Sequence, residues 1–396
     1  MSSIKEISGR IIKDSRNEDT IETRIQFESG VVGVASAPSG KSKGIHEAAT
    51  ILPEKAVELI HNEIYENFRG KGFKTQKDFD DGLIELDGTD NKSRIGGNTT
   101  TALSAAFARG AATEGRISLF NYFGEQLGSK VPRGGLRLFA NMIEGGLHAE
   151  NNLRFQEHWA IPENVSLFNQ IDLTKNFFNA LGDELKNRFP DEKISFSDEG
   201  SYSLHFPDES IPFEMMNDLR KRLCLVGSLD FGMDSAATDV NGEPVELTEI
   251  YKDWRRRFGL IAIEDPFSEE DFLNFQALHD EMSGVVIIGD DLTTTNVVRM
   301  KKAKENGSVN GVIIKPNQIG TITEALDAVR LAREYGWQVV VSHRSGETMD
   351  DWIADFAVGC GADGFKLGAP SKPERIAKYD RLLAIEKEAN LHKYVN

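Results

Sequence analysis

The sequence predicts an α/β protein: a smaller α+β domain followed by a larger β/α barrel. Three observations carry that prediction. From Leu225 onward, six short apolar runs each break off at a charged or polar residue: Asp234, Glu264, Asp290, Lys315, His343 and Lys366. These break points lie 23 to 30 residues apart, close to the length of one strand plus one crossover helix. The spacers between them carry helical periodicity, so strand and helix alternate. Alternation gives a parallel sheet, and six such units favour a closed barrel over an open doubly wound sheet.

Residues 1 to about 125 read differently. ISGRIIKDS and TIETRIQFESGVVGVASA alternate apolar and polar residues and meet at polar turns, which predicts antiparallel strands with one wet face. EKAVELIHNEIYENF and TTTALSAAFARGAATEG then read as helices, and strands followed by helices make an α+β unit. Proline and paired glycine in SKVPRGG, residues 129–135, interrupt both periodicities. The predicted domains are 1–128 and 129–396. In the second, Leu247, Ile250, Tyr251 and Trp254 form a helical stripe between Asp234 and Glu264. Phe272, Phe275, Leu278 and Met282 repeat it in the next spacer, and Ile322, Leu326, Val329 and Ala332 do so before His343. PERIAKYDRLLAIEKEAN closes the barrel as a helix.

A chain of 396 residues is long for one core, which agrees with two domains. The formal charge of −17, with no basic stripe to offset it, argues against nucleic acid or an anionic membrane as the main partner. No run is long and apolar enough for a membrane span, and the polar opening MSSIKEISGRIIKD is no signal peptide, so a cytoplasmic protein is expected. Cys224 and Cys360 are too few for a disulfide framework or a zinc site and read as core packing.

The loop Ser39, Gly40, Lys41, Ser42, Lys43, Gly44 contains the GKS core of a phosphate-binding loop. That motif requires glycine five positions before Gly40, where Ala35 stands. A Gly- and Ser-rich lid or a plain flexible connection fits better.

The barrel's strand ends carry the chemistry. Asp234, Glu264 and Asp290 are three carboxylates on consecutive strand ends, and hard oxygen ligands from separate elements can hold Mg²⁺ with positions left for water and substrate. Lys315, His343 and Lys366 follow. Beside a dication and another lysine the pKa of Lys315 is expected to fall, which makes it a general base. Proton abstraction next to a carboxylate suits such a site, because the resulting dianion needs concentrated positive charge.

Several segments resemble one family: IEDPF, GDDLTTTN, IKPNQIGTITEA, VSHRSGET, KLGAP and ERIAKYDRLLAIE in the barrel, with DSR, SAPSGKSKGIHEA, LDGTDNKS and GGLHA before it. Together they resemble enolase, the phosphopyruvate hydratases of glycolysis. The resemblance implies Mg²⁺-dependent, reversible dehydration of 2-phosphoglycerate to phosphoenolpyruvate. It also implies that Asp234, Glu264 and Asp290 bind the first Mg²⁺, while Ser39 on the lid ligates a second that arrives with substrate. Lys315 would remove the C2 proton, and Lys366 would face the substrate carboxylate. Glu199 would be the acid that assists loss of the C3 hydroxyl, kept protonated beside Glu157. Arg344 and Ser345 would hold the phosphate, with Gln156, His148 and His343 lining the pocket. A homodimer or higher homo-oligomer is implied as well.

The chain departs from the family at the pocket. Glu144 stands where the family usually has asparagine, and Glu150 where it has glycine. Ser197 and Ser201 replace glycines around Glu199, the usual DSRGNPT reads DSRNEDT, and an acidic, arginine-containing stretch after the lid is missing. Two extra acids would repel an anionic substrate unless they face outward or bind a cation; Lys41 and Lys43 are expected to offset them. An enolase-like paralogue acting on another acid is the alternative, and a catalytically silent binding protein is a third reading.

Overall fold

The computed structural model of the protein describes residues 2–41, 44–128 and 135–389. Strands β1 (Ile4–Lys13), β2 (Asp19–Phe27) and β3 (Val32–Ser36) form the predicted antiparallel sheet in the order β1-β2-β3. The helix Gly97–Gly115 lies against it at very short range. A Cβ on Gly33 would stand 1.9 Å from the Ala106 carbonyl oxygen, and one on Gly110 would stand 2.2 Å from the Phe27 ring. Glycine at both positions is what lets backbone meet backbone. The other predicted helix, from Pro53 to Phe68, is continuous through a π-helical turn at Ile60–Ile64.

The barrel consists of β4 (Arg137–Glu144), β5 (Glu157–Pro162) and six later strands. A short hairpin, β6 (Ser195–Phe196) and β7 (Tyr202–Ser203), hangs on β4. The later strands are β8 (Leu229–Asp234), β9 (Leu260–Glu264), β10 (Val286–Gly289), β11 (Gly311–Ile314), β12 (Gln338–Ser342) and β13 (Gly364–Lys366). β13 pairs with β4 and closes the ring. Each strand of the predicted series ends at, or one residue before, its chemically distinct residue.

One strand breaks the expected parallel order. β5 runs antiparallel to both β4 and β8. A parallel pair needs a crossover, usually a helix, whereas the connection between β4 and β5 holds only a 3₁₀ turn at Gly146–His148. The reversal has a functional consequence. Glu157 opens β5 instead of closing it, yet it pairs in register with Glu144 and with Asp234, so all three reach the same mouth.

Below that mouth the barrel is filled by Phe139, Trp159, Ile161, Ala262, Ile288 and neighbouring apolar side chains. The first domain docks on the rim through polar contacts. Lys92 Nζ meets Glu324 Oε1 at 2.7 Å, and buried Asp80 accepts from the Thr323 amide at 2.9 Å and its hydroxyl at 2.6 Å. Apart from Gly135, the predicted boundary segment lies outside the described residues.

Candidate active site

The mouth holds about 510 Å³ of open space lined by Asp234, Asp290, Lys315, Arg344, Lys366 and Glu199, among others. Lys366 lies at its base. Its Nζ is 2.7 Å from Asp234 Oδ2, 2.9 Å from Glu264 Oε1 and 2.9 Å from Glu157 Oε1, and all four side chains are buried. It also sits 5.2 Å from the centre of the Trp159 ring, whose indole N–H donates to Glu157 Oε2 at 2.8 Å. Burial works against the ammonium, but Asp234, Glu157 and Glu264 outweigh it and hold the Lys366 pKa well above the ordinary lysine value.

Lys315 is ion-paired with Asp290 Oδ2, while the Gln318 amide donates to Asp290 Oδ1 at 2.9 Å. Burial pulls the Lys315 pKa down and Asp290 pulls it up, with a net rise. The fall expected beside a dication is opposed in this arrangement by Asp290, which gives Lys315 a carboxylate partner of its own. Asp290 is held below the usual range: burial opposes its ionisation, and Lys315 and Lys366 overcome it.

The three carboxylates suit a hard dication. Asp234 and Glu264 are register partners on adjacent strands, and Glu264 Oε2 is buried without a hydrogen-bond partner among the described residues. Burial and the nearby Asp234 push the Glu264 pKa well up, so the site is short of positive charge even with Lys366 present. Among the described residues, Asp234, Glu264 and Asp290 are not one of the groups whose ligand atoms all approach within 4.8 Å; Asp265, Asp290 and Asp291 are. Lys366 contacts Asp234 and Glu264, and Lys315 contacts Asp290.

Across the pocket, Glu199 lies between two imidazoles. Its Oε2 is 3.0 Å from His343 Nε2, and its Oε1 is 3.7 Å from His148 Nδ1. Arg375 fixes the tautomer of His343. A guanidinium only donates, and Arg375 NH1 lies 2.5 Å from His343 Nδ1, so that nitrogen must accept and Nε2–H faces Glu199. Burial drives the His343 pKa down to about 4, which keeps the ring neutral.

The location of the shared proton differs from the sequence expectation. Burial opposes ionisation of Glu199, but His343, His148 and Arg375 hold its pKa well below the usual range. Glu157 has the opposite balance, because burial and then Glu199 raise it to about 8 despite Lys366. In this arrangement Glu157 carries the proton and Glu199 is the carboxylate. Gln156 donates to Asp234 Oδ2 at 3.2 Å and turns towards the metal-ligand candidates.

Arg344 is buried, and its guanidinium forks onto Glu47 at 2.9 and 3.1 Å. The Ser345 hydroxyl accepts from the Lys41 amide at 2.9 Å. The lid is docked on the barrel here: Ser39 and Gly346 exchange backbone hydrogen bonds of 2.7 and 2.8 Å. A Cβ on Gly346 would fall 2.3 Å from Ser39 Oγ, so glycine is what permits the contact. The Ser39 hydroxyl donates to Asp14 at 2.6 Å and accepts from Arg16 at 2.9 Å, and thus faces the first domain. Lys41 pairs with Asp198 at 3.1 Å, not with Glu144 or Glu150, and Lys43 lies outside the described residues.

The departures from the family separate in space. Glu150 is exposed, whereas Glu144 is fully buried with Oε1 3.2 Å from His148 Nδ1. Ser197 Oγ accepts the amides of Glu199 and Ser201, and Ser201 Oγ donates to the Asn141 carbonyl, so both serines build the turn that carries Glu199. Reading the strand ends did not identify Arg375, Glu47 or Gln318 as parts of the site. Arg375 falls inside the ERIAKYD segment, and Gln318 inside IKPNQIG, but neither segment says which residue faces the pocket.

Comparison with known proteins agrees with this geometry. The family model described as "Enolase, N-terminal domain" matches residues 4–123, and "Enolase, C-terminal TIM barrel domain" matches 137–244 and 241–395. A relative named Enolase from Sulfolobus acidocaldarius is 37% identical over 408 residues, covering 99% of this chain and 97% of its own. Relatives of the same name from Methanopyrus kandleri and Ehrlichia ruminantium are 36% and 37% identical. Each match covers 98% of this chain, with 96% and 97% of the respective relative. The chain belongs to the enolase family.

Proposed function

We propose that the protein is a hydro-lyase that reversibly dehydrates 2-phosphoglycerate to phosphoenolpyruvate. The observation that carries this reading is the convergence of Lys315, Lys366, Arg344, Asp234, Asp290 and Glu199 on one buried mouth. In the proposed reaction Arg344 and Ser345 hold the phosphate, with substrate displacing Glu47 from the guanidinium. Lys366 faces the carboxylate, and Lys315 Nζ takes the C2 proton once Asp290 is engaged elsewhere. The C2 electron pair forms the C2–C3 double bond as hydroxide leaves C3, and Glu199, working with the protonated Glu157, delivers the proton that makes the leaving group water. His148, Gln156 and His343 line the pocket; the two histidines orient Glu199, and Gln156 donates to Asp234.

Asp234, Glu264 and Asp290 would hold Mg²⁺, with Ser39 swinging from Asp14 to a second ion that arrives with substrate. Bound Mg²⁺ would supply the charge that stabilises a dianionic intermediate. The proposal places residues 1–128 as a cap on the barrel of 129–396, in a cytoplasmic homodimer or higher homo-oligomer. No helix among the described residues is long and apolar enough to cross a membrane. A different acid substrate would be favoured by Glu144 and Glu150 if both carboxylates faced the pocket. Glu150 is exposed, and Glu144 is buried with Oε1 against His148.

The test is phosphoenolpyruvate absorbance from 2-phosphoglycerate and Mg²⁺. Lys315→Ala should lower kcat by about 10²- to 10⁴-fold or more. A folded, Mg²⁺-binding parent that turns over a non-phosphorylated acid better than 2-phosphoglycerate would overturn the assignment.

A further inference from the structure

We propose that Glu47 is an internal anion that holds Arg344 until a phosphate displaces it, and that it thereby excludes singly charged carboxylates from the phosphate end of the pocket. The inference deepens the proposed function and rests on its assignment of Arg344 to the phosphate. Arg344 NH1 is 2.9 Å from Glu47 Oε2 and NH2 is 3.1 Å from Oε1, a two-pronged pair whose side chains are 5% and 8% exposed. Both residues line the open mouth together with Ser345. A planar guanidinium presents the same pair of donors to a carboxylate and to two oxygens of a phosphate, so Glu47 occupies the donors that the ligand needs.

The carboxylate is delivered by backbone that is fixed independently of Arg344. The Glu47 amide donates to the Gly44 carbonyl at 3.1 Å, Glu47 Oε1 accepts from the Gly44 amide at 3.2 Å, and the Ala48 amide donates to the Gln318 carbonyl at 2.7 Å. Glu347, the carboxyl next along the Arg344 loop, serves other groups: it accepts from the Arg344 backbone amide at 3.1 Å and pairs with buried Lys378 at 3.0 Å. Burial disfavours the Arg344 guanidinium, but Glu47 outweighs it and holds the Arg344 pKa above the ordinary arginine value. The unliganded pocket therefore depends on this partner, since a buried cation stripped of its carboxylate is strongly destabilising. Displacement then sets the selectivity. A monocarboxylate in solution offers the guanidinium only what Glu47 already supplies from within the chain, so it gains nothing by exchange. A phosphate brings a second charge and a third oxygen, with the Ser345 hydroxyl lining the same mouth. The apparent affinity for any anion is lowered to the fraction of molecules in which Arg344 is released.

Titration calorimetry of the full chain with inorganic phosphate, in chelator so that no bound metal contributes, tests the inference. Glu47→Gln should bind phosphate about 10- to 100-fold more tightly than the parent. Acetate should compete with phosphate in Glu47→Gln and not in the parent. Glu47→Asp keeps the charge but shortens the reach by one methylene, and should show a gain of the same sign. Adding Arg344→Gln to either variant should abolish the gain, because the gain acts through that guanidinium. Melting curves identify a Glu47 variant that fails to fold, in which case the other carries the comparison. Phosphate affinity that is unchanged, weaker or undetectable in the folded variants overturns the inference, as does a gain confined to the neutral variant or one that persists without Arg344. A gain in phosphate affinity in a chain that turns over no 2-phosphoglycerate refutes the proposed reaction and upholds Glu47 as the internal anion. Turnover by the parent with no gain in the variants does the reverse.

Discussion

Replacing Lys366 with methionine isolates the electrostatic problem at the base of the pocket. The methionine keeps most of the stem but removes an ammonium that contacts Asp234, Glu264 and Glu157 at 2.7 to 2.9 Å. Each such contact is worth roughly 6 kcal/mol of attraction at an effective dielectric of 20, before desolvation is subtracted. Removing one partner of a buried ion pair typically costs about 3–5 kcal/mol. An independent bound comes from protonation, since neutralising one carboxyl of ordinary pKa near 4 at pH 7 costs about 4 kcal/mol. Glu157, raised to about 8, already carries its proton at that pH, and Glu264 is also held well above the usual range, so the bound applies to at most one further carboxyl.

The expected loss for Lys366→Met is therefore about 3–5 kcal/mol at pH 7 in the presence of a chelator. At pH 5 the protonation bound falls to roughly 1.4 kcal/mol, and the difference from the parent should shrink with it. Added Mg²⁺ should stabilise the variant more than the parent, because a bound dication replaces the missing charge without competing with Lys366. Urea unfolding followed by tryptophan fluorescence is the assay, with Trp159 as a reporter beside the site. Equal urea midpoints for parent and variant at pH 7, or a difference that persists unchanged at pH 5, would refute the reasoning. The parent itself should keep its fold in chelator, since Lys366 and Lys315 already neutralise part of the carboxylate cluster.

Arg375→Met should raise the His343 pKa from about 4 by removing a cation from Nδ1, and lower kcat by about 10- to 100-fold by freeing the tautomer. Histidine NMR titration and turnover measure the two effects, and an unchanged His343 pKa contradicts the tautomer argument. Asp80 provides a test at the contact between the domains. Burial raises its pKa to about 6 against 3.8 for the free group, so the folded state retains a proton that the unfolded state has lost. Its contribution to stability is full below pH 3.8 and is lost as pH rises through about 6, by up to ~3 kcal/mol. The parent's urea stability relative to Asp80→Asn should decline by that amount between pH 4 and 7, and a flat difference would remove Asp80 from the account.

Much of this architecture was legible in the sequence because it is periodic. Apolar runs ending at Asp234, Glu264, Asp290, Lys315, His343 and Lys366 recur at strand-plus-helix spacing, and a strand ends at, or one residue before, each of them. The reversed strand was not legible. Glu157–Pro162 is short and buried at every position, so its pattern carries no direction, and only the absence of a helix before it excludes a parallel crossover. Arg375 was missed for another reason. It sits on a helix of ordinary composition, and its contact with His343 spans 32 residues that no local period connects.

That reversed strand also explains why the proton balance could not be read residue by residue. Because Glu157 enters the mouth at the start of its strand, it meets Asp234 on one side and Glu144 on the other. Glu144, Glu157 and Glu199 therefore share one buried volume with His148, His343 and Lys366, and each pKa depends on the others. Sequence separations of 13 to 55 residues among the three glutamates hide that coupling entirely. Glu199 has two imidazoles and a nearby guanidinium and ionises; Glu144 has one neutral imidazole and burial raises its pKa. The same glutamate side chain is thus shifted in opposite directions at two positions of one pocket, and the difference is set by how many imidazole and guanidinium groups the turns, strands and closing helix bring to each.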